Sequence, residues 1–224
     1  MNSLTKVLEH RDFIVISKPS GLNFHSEDGE LGVVERARQQ FECELWPVHR
    51  LDKLTSGLLI LATNKAAAAH FQELFSQGLI NKYYLALASA KPKKKQGLVK
   101  GDMQKGRNGS WLLARSQDNP AITQFFSYSL APQRRLFLLK PHTGRTHQLR
   151  VAMKSVGAPI LGDKRYSGED FLRGCLHAYA LDFDWQGEQI QLASAAELFE
   201  CEGLSEQLTV LSEPWQVSFP KLKG

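Results

Sequence analysis

A chain of 224 residues, 42% of them hydrophobic, can bury a full core and needs no disulfides for stability. Its three cysteines (Cys43, Cys175, Cys201) form an odd set with no CxxC or Cys/His spacing, which argues against a disulfide framework or a zinc site and for buried thiols in a reducing compartment. Net charge is +5, but Lys91 to Arg107 carries seven Lys/Arg against one acid, so the positive charge is local, as in a solvated loop or a phosphate-contacting arm.

The first residues, MNSLTKVLEHRDF, put charges where a signal peptide needs an apolar stretch, and no apolar run approaches the roughly 20 residues of a membrane helix. A cytoplasmic protein without a membrane partner is expected. Phe13 to Ile16 reads as a strand entering a tight corner at Lys18-Pro19-Ser20-Gly21. Leu31 to Leu45 reads as a helix whose Val34, Ala37 and Phe41 make one buried stripe. Leu58 to Ala62 has the length of a buried strand, and the charged residues before it sit on the loop that feeds it. Thr63 is positioned to cap the next helix, with Phe71, Leu74 and Phe75 as its stripe and Gly78 as its stop.

Tyr83 to Ala88 is a predicted strand, followed from Lys91 to Ser110 by a Lys- and Gly-rich segment that suits a flexible hairpin or arm. Ile122 to Tyr128 and Leu136 to Leu139 are strands, Pro141 to Gly144 is a turn, and His147 to Val156 is a short helix ended by Gly157. Tyr179 to Trp185 and Gln189 to Leu192 make two more strands joined at Gln186-Gly187. The elements lack the regular βαβ rhythm of a doubly wound fold, and the short loops imply antiparallel neighbours. The expected class is α+β, in one domain spanning residues 1–224.

Three groups of residues can carry chemistry. Asp52 lies in a turn before a buried strand, where it either bonds its own backbone or stands at the lip of a cleft. Tyr84 shares a strand face with Lys82 and Ala86, as a core or a site residue. Thr143-Gly144-Arg145-Thr146-His147-Gln148-Leu149-Arg150 sets two arginines and a histidine around a turn that leads into a helix, which suits an anion site as well as a solvated loop. No Walker loop, GxGxxG, HExxH or GxSxG is present, so neither a nucleotide cofactor nor a metal is implied.

Taken in order, Lys18-Pro19-Ser20-Gly21, His49-Arg50-Leu51-Asp52-x-x-Thr55-Ser56-Gly57, Lys82-x-Tyr84-x-Ala86, Pro141-x-Thr143 through Arg150, Gly162-Asp163 with Tyr166, and Leu176-His177-Ala178 resemble the RluA-type pseudouridine synthases over about residues 10 to 195. The resemblance implies a mixed, largely antiparallel sheet split by a basic cleft, and conversion of uridine to pseudouridine in ribosomal or transfer RNA without cofactor or metal. It matches Asp52 to the essential aspartate, Tyr84 to the active-site tyrosine, Arg150 to the arginine that pairs with the aspartate, and Arg50 to the residue that enters the stack where the uridine has left it. His49, Lys82, Thr143, Arg145 and His147, with Lys93, Lys94 and Lys95 of the arm, are the further expected RNA contacts. Ala152 departs from the pattern, since many relatives carry histidine there.

No small S4-type RNA-binding module of the kind many relatives carry is expected before the catalytic domain, so RNA selection is expected to rest on that domain and the arm, acting as a monomer on a stem-loop. Two other readings are a non-enzymatic RNA-binding protein of the same fold, and a glycoside hydrolase using Asp52 and Asp163.

Overall fold

The chain, described at residues 3–27 and 29–219 by a computed structural model, has contacts that divide into two units. One comprises residues up to 80 with 177–198, the other 81–176 with the segment from 199 on. Each combines sheet strands with helices, the α+β class expected.

The first unit opens with β1 (Thr5–Glu9), β2 (Phe13–Lys18), α1 (Val33–Phe41), β3 (Trp46–Pro47), β4 (Ser56–Ala62) and α2 (Lys65–Ser76). Strand β2 lies antiparallel between β1 and β4, and every residue of β2 and β4 is buried. Continuous burial explains why both read as apolar runs rather than alternating patterns. On one face Phe13, Val15, Leu58 and Ile60 pack with Ala67, Phe71 and Leu74 of α2.

Two helix boundaries differ from expectation. Helix α1 is shorter than Leu31 to Leu45: it starts after Gly32 and stops at Glu42, whose left-handed backbone (φ 52°) lets Leu45 return to the core. Helix α2 is capped by Asn64, which accepts the Ala67 N–H at 2.8 Å, while the Thr63 hydroxyl donates to Arg11 O. Asparagine is as good an N-cap as threonine, so the helix simply begins one residue later.

The chain then builds the second unit with β5 (Asn81–Ala88), β6 (Gln96–Gly101), β7 (Met103–Lys105), β8 (Trp111–Leu113), β9 (Ala121–Ala131), β10 (Arg134–Pro141) and α3 (Gln148–Ser155). Strands β5, β10, β9 and β6 are neighbours in that order and antiparallel throughout. The Lys-rich segment is therefore only partly an arm. Gln96–Gly101 is an edge strand on β9, and β7 with β8 forms a separate two-stranded hairpin. Edge strands carry lysine readily, which hid β6 from the pattern.

Strand β11 (Leu176–Trp185) returns to the first unit parallel to β4, pairing His177 with Ser56 and Ala178 with Gly57. It turns at Gln186-Gly187, both at positive φ, into β12 (Glu188–Ala193), as expected for a tight hairpin. Helix α4 (Leu204–Val210) follows in the second unit. Among the described residues no helix is long and apolar enough to cross a membrane. Cys43 is exposed and Cys201 half-exposed, so of the thiols expected to be buried only Cys175 is, and burial pushes its pKa up to about 12.

Candidate active site

The turn bearing Asp52 is closed by Thr55 N–H donating to Asp52 O at 3.0 Å. The Lys18-Pro19-Ser20-Gly21 corner fastens the two residues after Asp52. Gly21 N–H and Lys18 Nζ donate to Lys53 O at 2.8 and 3.3 Å, and the Ser20 hydroxyl donates to Leu54 O at 2.7 Å. Lys18 is fully buried, and its ammonium also donates to Pro19 O and Leu22 O at 2.9 and 2.8 Å. These carbonyls replace the hydration that a buried ammonium loses.

Beyond the turn, Ser56 Oγ lies 2.8 Å from His177 Nδ1, and His177 Nε2 lies 2.9 Å from Ser194 O. A carbonyl only accepts, so Nε2 carries the ring proton and Nδ1 accepts from the serine. Gly57 has φ +103°, and a Cβ there would stand 2.2 Å from Ala178 O. The Ser56-Gly57 pair is thus a packing requirement where β4 meets β11. Asp52 is half-buried, while Leu51 and Thr55 beside it in the chain are buried.

The neighbours of Asp52 split in role. Arg50 is exposed, with its guanidinium 6.0 Å from the Phe24 ring centroid. His49, expected among the RNA contacts, turns inward: Nε2 accepts the Ile60 N–H at 2.9 Å and the ring lies 5.0 Å from Phe75.

In the second unit Tyr84 is half-buried on β5, opposite Leu139. Burial holds the Lys82 ammonium below the ordinary lysine pKa. His142 is likewise held below an ordinary histidine, first by burial and then by the charges of Lys140 and Lys82. Its Nε2 lies 2.6 Å from Gln124 Oε1. A gathering of like charges of this kind gains from a phosphate anion. Lys93, Lys94 and Lys95 are exposed between β5 and β6.

The loop from Thr143 to Arg150 is pinned by Gln148, a buried residue to which no role was expected. Its Oε1 accepts the Thr143 hydroxyl at 2.7 Å and Arg145 N–H at 3.0 Å, while Nε2 donates to Ile122 O at 3.0 Å and Thr123 Oγ1 at 2.9 Å. Thr143 Oγ1 also accepts the Ile122 N–H, so this hydroxyl serves the loop. Arg145 is exposed and bonds Asn119 Oδ1. His147 Nδ1 lies 2.8 Å from the Tyr166 hydroxyl.

Arg150 is 7% exposed and forks onto Asp163, which is 2% exposed: Nε meets Oδ2 and Nη2 meets Oδ1, both at 2.7 Å. A bidentate, charge-assisted pair fixes the guanidinium in plane as well as in place. Gly162 sets the carboxylate there; its φ is +77°, and a Cβ would meet Arg173 O at 2.0 Å. The Tyr166 ring centroid lies 4.9 Å from Arg150 Cζ. Asp163 commits both oxygens to the arginine in a buried position, which removes it as the second acid of a glycoside hydrolase.

Asp52, Arg50 and His49 thus belong to the first unit, and Tyr84, Arg150, Lys82, Thr143, Arg145, His147 and the arm lysines to the second. The supporting groups Lys18, Ser56, His177 and Gln148 were given no role, and Asp163 only that of an acid in the hydrolase reading. Their signal was a polar side chain at an otherwise apolar strand or helix position.

A family model described as RNA pseudouridylate synthase matches residues 12–155. A Haemophilus influenzae protein named as an uncharacterized RNA pseudouridine synthase is 55% identical over 182 residues, 80% of this chain and 81% of that one. A Vibrio vulnificus protein named ribosomal large subunit pseudouridine synthase C is 35% identical over 179 residues, 75% of this chain and 57% of its own. Among solved structures, human RNA pseudouridylate synthase domain containing 1 matches with a TM-score of 0.75 and 26% identity, covering 97% of each chain.

Proposed function

The chain belongs to the RNA pseudouridylate synthases of RluA type, an isomerase family, and on that premise we propose that it converts particular uridines of ribosomal or transfer RNA stem-loops to pseudouridine with Asp52 as its catalytic carboxylate. The observation that carries this reading is the investment in the Asp52 turn. Lys18, Ser20 and Gly21 all bond the carbonyls of Lys53 and Leu54, and the Ser56–His177 pair anchors the strand behind them. A half-buried carboxylate on so restrained a turn is preorganised for a reacting group.

The reaction breaks the bond from C1′ to N1, reattaches C1′ to C5, and moves the C5 proton to N1, so no atom is gained or lost. A carboxylate carrying its charge suits the cleavage step. Tyr84 lies against the base and assists removal of the C5 proton. A uridine inside a stem must first leave the stack, at a cost of roughly a few kcal/mol that insertion of the exposed Arg50 offsets. Lys93, Lys94 and Lys95 serve capture through phosphate contacts, together with Lys82 and Arg145. The enzyme works in the cytoplasm, as a monomer and without cofactor.

Asp52→Asn is expected to abolish conversion while leaving RNA affinity within about tenfold, because phosphate contacts supply most of the binding. Tritium release from C5-labelled uridine RNA measures the first and filter binding the second. Persistent turnover by the Asn variant removes Asp52 from this role.

A further inference from the structure

The hairpin of β7 and β8 pairs three residues with three, Met103 with Leu113 through Lys105 with Trp111. A two-stranded ribbon this short has no independent stability and must be held by something else. It presents Lys105, Arg107 and Leu112 to solvent. Within the second unit, hydrogen bonds among the described residues tie this excursion to the loop and turn around Arg150. The Trp111 N–H donates to the Tyr166 hydroxyl at 2.9 Å. Arg165 Nη1 donates to Asn108 O at the hairpin tip at 2.6 Å, and it lies so close that a Cβ on Gly109 would stand 2.7 Å away. Arg145 bonds Asn119, in the segment that leaves the hairpin.

Tyr166 stands where these ties meet the Arg150 clamp. It is 1% exposed, its ring lies 4.9 Å from Arg150 Cζ, and Arg150 is itself forked onto Asp163 three residues earlier. The Tyr166 hydroxyl accepts from Trp111, so its own proton can go to His147 Nδ1, 2.8 Å away. His147 sits at the start of α3 with a left-handed backbone (φ 56°), a conformation uncommon for a residue other than glycine. One side chain therefore packs its ring against the guanidinium that Asp163 holds in plane, and with its hydroxyl meets both the loop before α3 and the basic hairpin.

We propose that Tyr166 is a positioning residue that couples the RNA-facing hairpin to Arg150, its ring bracing the guanidinium and its hydroxyl holding the hairpin at Trp111. This rests on the function proposed above and adds to it a division of labour within one residue. The ring belongs to the chemical step, the hydroxyl to the capture of structured RNA by Lys105 and Arg107. RNA that fails to seat on the hairpin then pulls on the same residue that aligns Arg150.

The test compares the full-length parent with Tyr166→Phe and Tyr166→Leu. Single-turnover rates are measured against the concentration of a stem-loop RNA, and amide hydrogen exchange at Trp111 is followed without RNA. In Tyr166→Phe the Trp111 amide should exchange at least about fivefold faster, the value of one ordinary hydrogen bond, and half-saturating RNA should rise by a similar factor. Its maximal rate should stay within about threefold, since the ring remains. Tyr166→Leu should in addition lose about a hundredfold in maximal rate, as expected when a reacting constellation loses its alignment.

Unchanged exchange and half-saturation in Tyr166→Phe would overturn the proposal, as would a Phe variant whose maximal rate falls while half-saturation holds. Full maximal rate in Tyr166→Leu would free the ring from its role. Should Tyr166→Leu fail to fold, the exchange and half-saturation of Tyr166→Phe decide alone. A parent protein that turns over no RNA would defeat the proposed function instead, and the Trp111 exchange would still decide whether the hydroxyl holds the hairpin.

Discussion

Lys18 in the first unit is sealed among the carbonyls of Pro19, Leu22 and Lys53, whereas in the second unit Arg150 rests on a carboxylate and His142 sits under the charges of Lys140 and Lys82. All of these cations lie within or beside family motifs. The Lys18 ammonium is committed to shaping the turn that presents Asp52, so its charge is an element of scaffold. The Arg150 guanidinium has a fixed plane and direction, which suits a group that must orient a reactant. Burial and then the charges of Lys140 and Lys82 hold His142 below an ordinary histidine, a setting that suits a neighbouring phosphate. The surroundings of each head group, rather than its residue type, thus separate these cations, and they are expected to differ in what they do.

The largest expected effect tests the oriented cation. Arg150→Met should be nearly inactive at every pH, while Arg150→Lys, which keeps charge without the fork, retains a small residue of activity. Misplacing a reacting group by about 1 Å can cost on the order of a hundredfold, and the Met variant loses both position and charge. It should also melt earlier, because Asp163 is left buried without its partner, a loss of roughly 3–5 kcal/mol. Single-turnover pH–rate profiles and thermal melts check both statements. Recovery of full activity by Arg150→Met at high pH would reduce the arginine to a tuner of ionisation.

The scaffold cation should behave differently. Lys18→Met removes the ammonium from the carbonyls of Pro19, Leu22 and Lys53; Lys53 O keeps the Gly21 N–H, so at about 1 kcal/mol or more for each of the other two the fold should lose on the order of 2 kcal/mol. The salt dependence of RNA binding should keep its slope, since no phosphate contact is lost. Denaturant melts and binding isotherms at several salt concentrations separate the two. A flatter salt slope in Lys18→Met would erase the contrast drawn between the units.

Much of this was legible because burial leaves a mark on composition. Strands β2 and β4 announce themselves as charge-poor runs, as does the Leu136 to Leu139 stretch inside β10, and Gly157 ends α3 where its periodicity stops. Strand β1 does not, since Thr5, Lys6 and Glu9 face solvent and only Val7 and Leu8 are partly covered. The hairpin was lost in a lysine-rich stretch for the same reason. The motifs pick out Asp52 and Arg150, yet they do not say what holds them. Asp163 is 13 residues from Arg150, and His177 is 121 residues from Ser56. Pairing across such distances is decided by tertiary packing, and local patterns do not encode it.

The smallest effect tests His142 through pH. Burial and the charges of Lys140 and Lys82 hold folded His142 below the ordinary value of 6.5, so the unfolded chain binds this proton more tightly than the folded one. Stability then rises with pH across that interval, and the contribution present above about 6.5 is lost as pH falls toward the folded value. The parent should therefore melt lower at pH 5.5 than at pH 7.5 by slightly more than His142→Gln does, a difference of about 2 °C or less for one half-buried group. The glutamine keeps a polar partner for Gln124 and cannot take a charge. RNA should reverse the sign, because phosphate beside Lys140 and Lys82 favours the imidazolium. Affinity of the parent should then strengthen on acidification by more than that of His142→Gln. Equal pH dependence of melting in the two proteins would mean that the lysine charges do not reach His142, and the second unit would then tolerate its cations as quietly as the first tolerates Lys18.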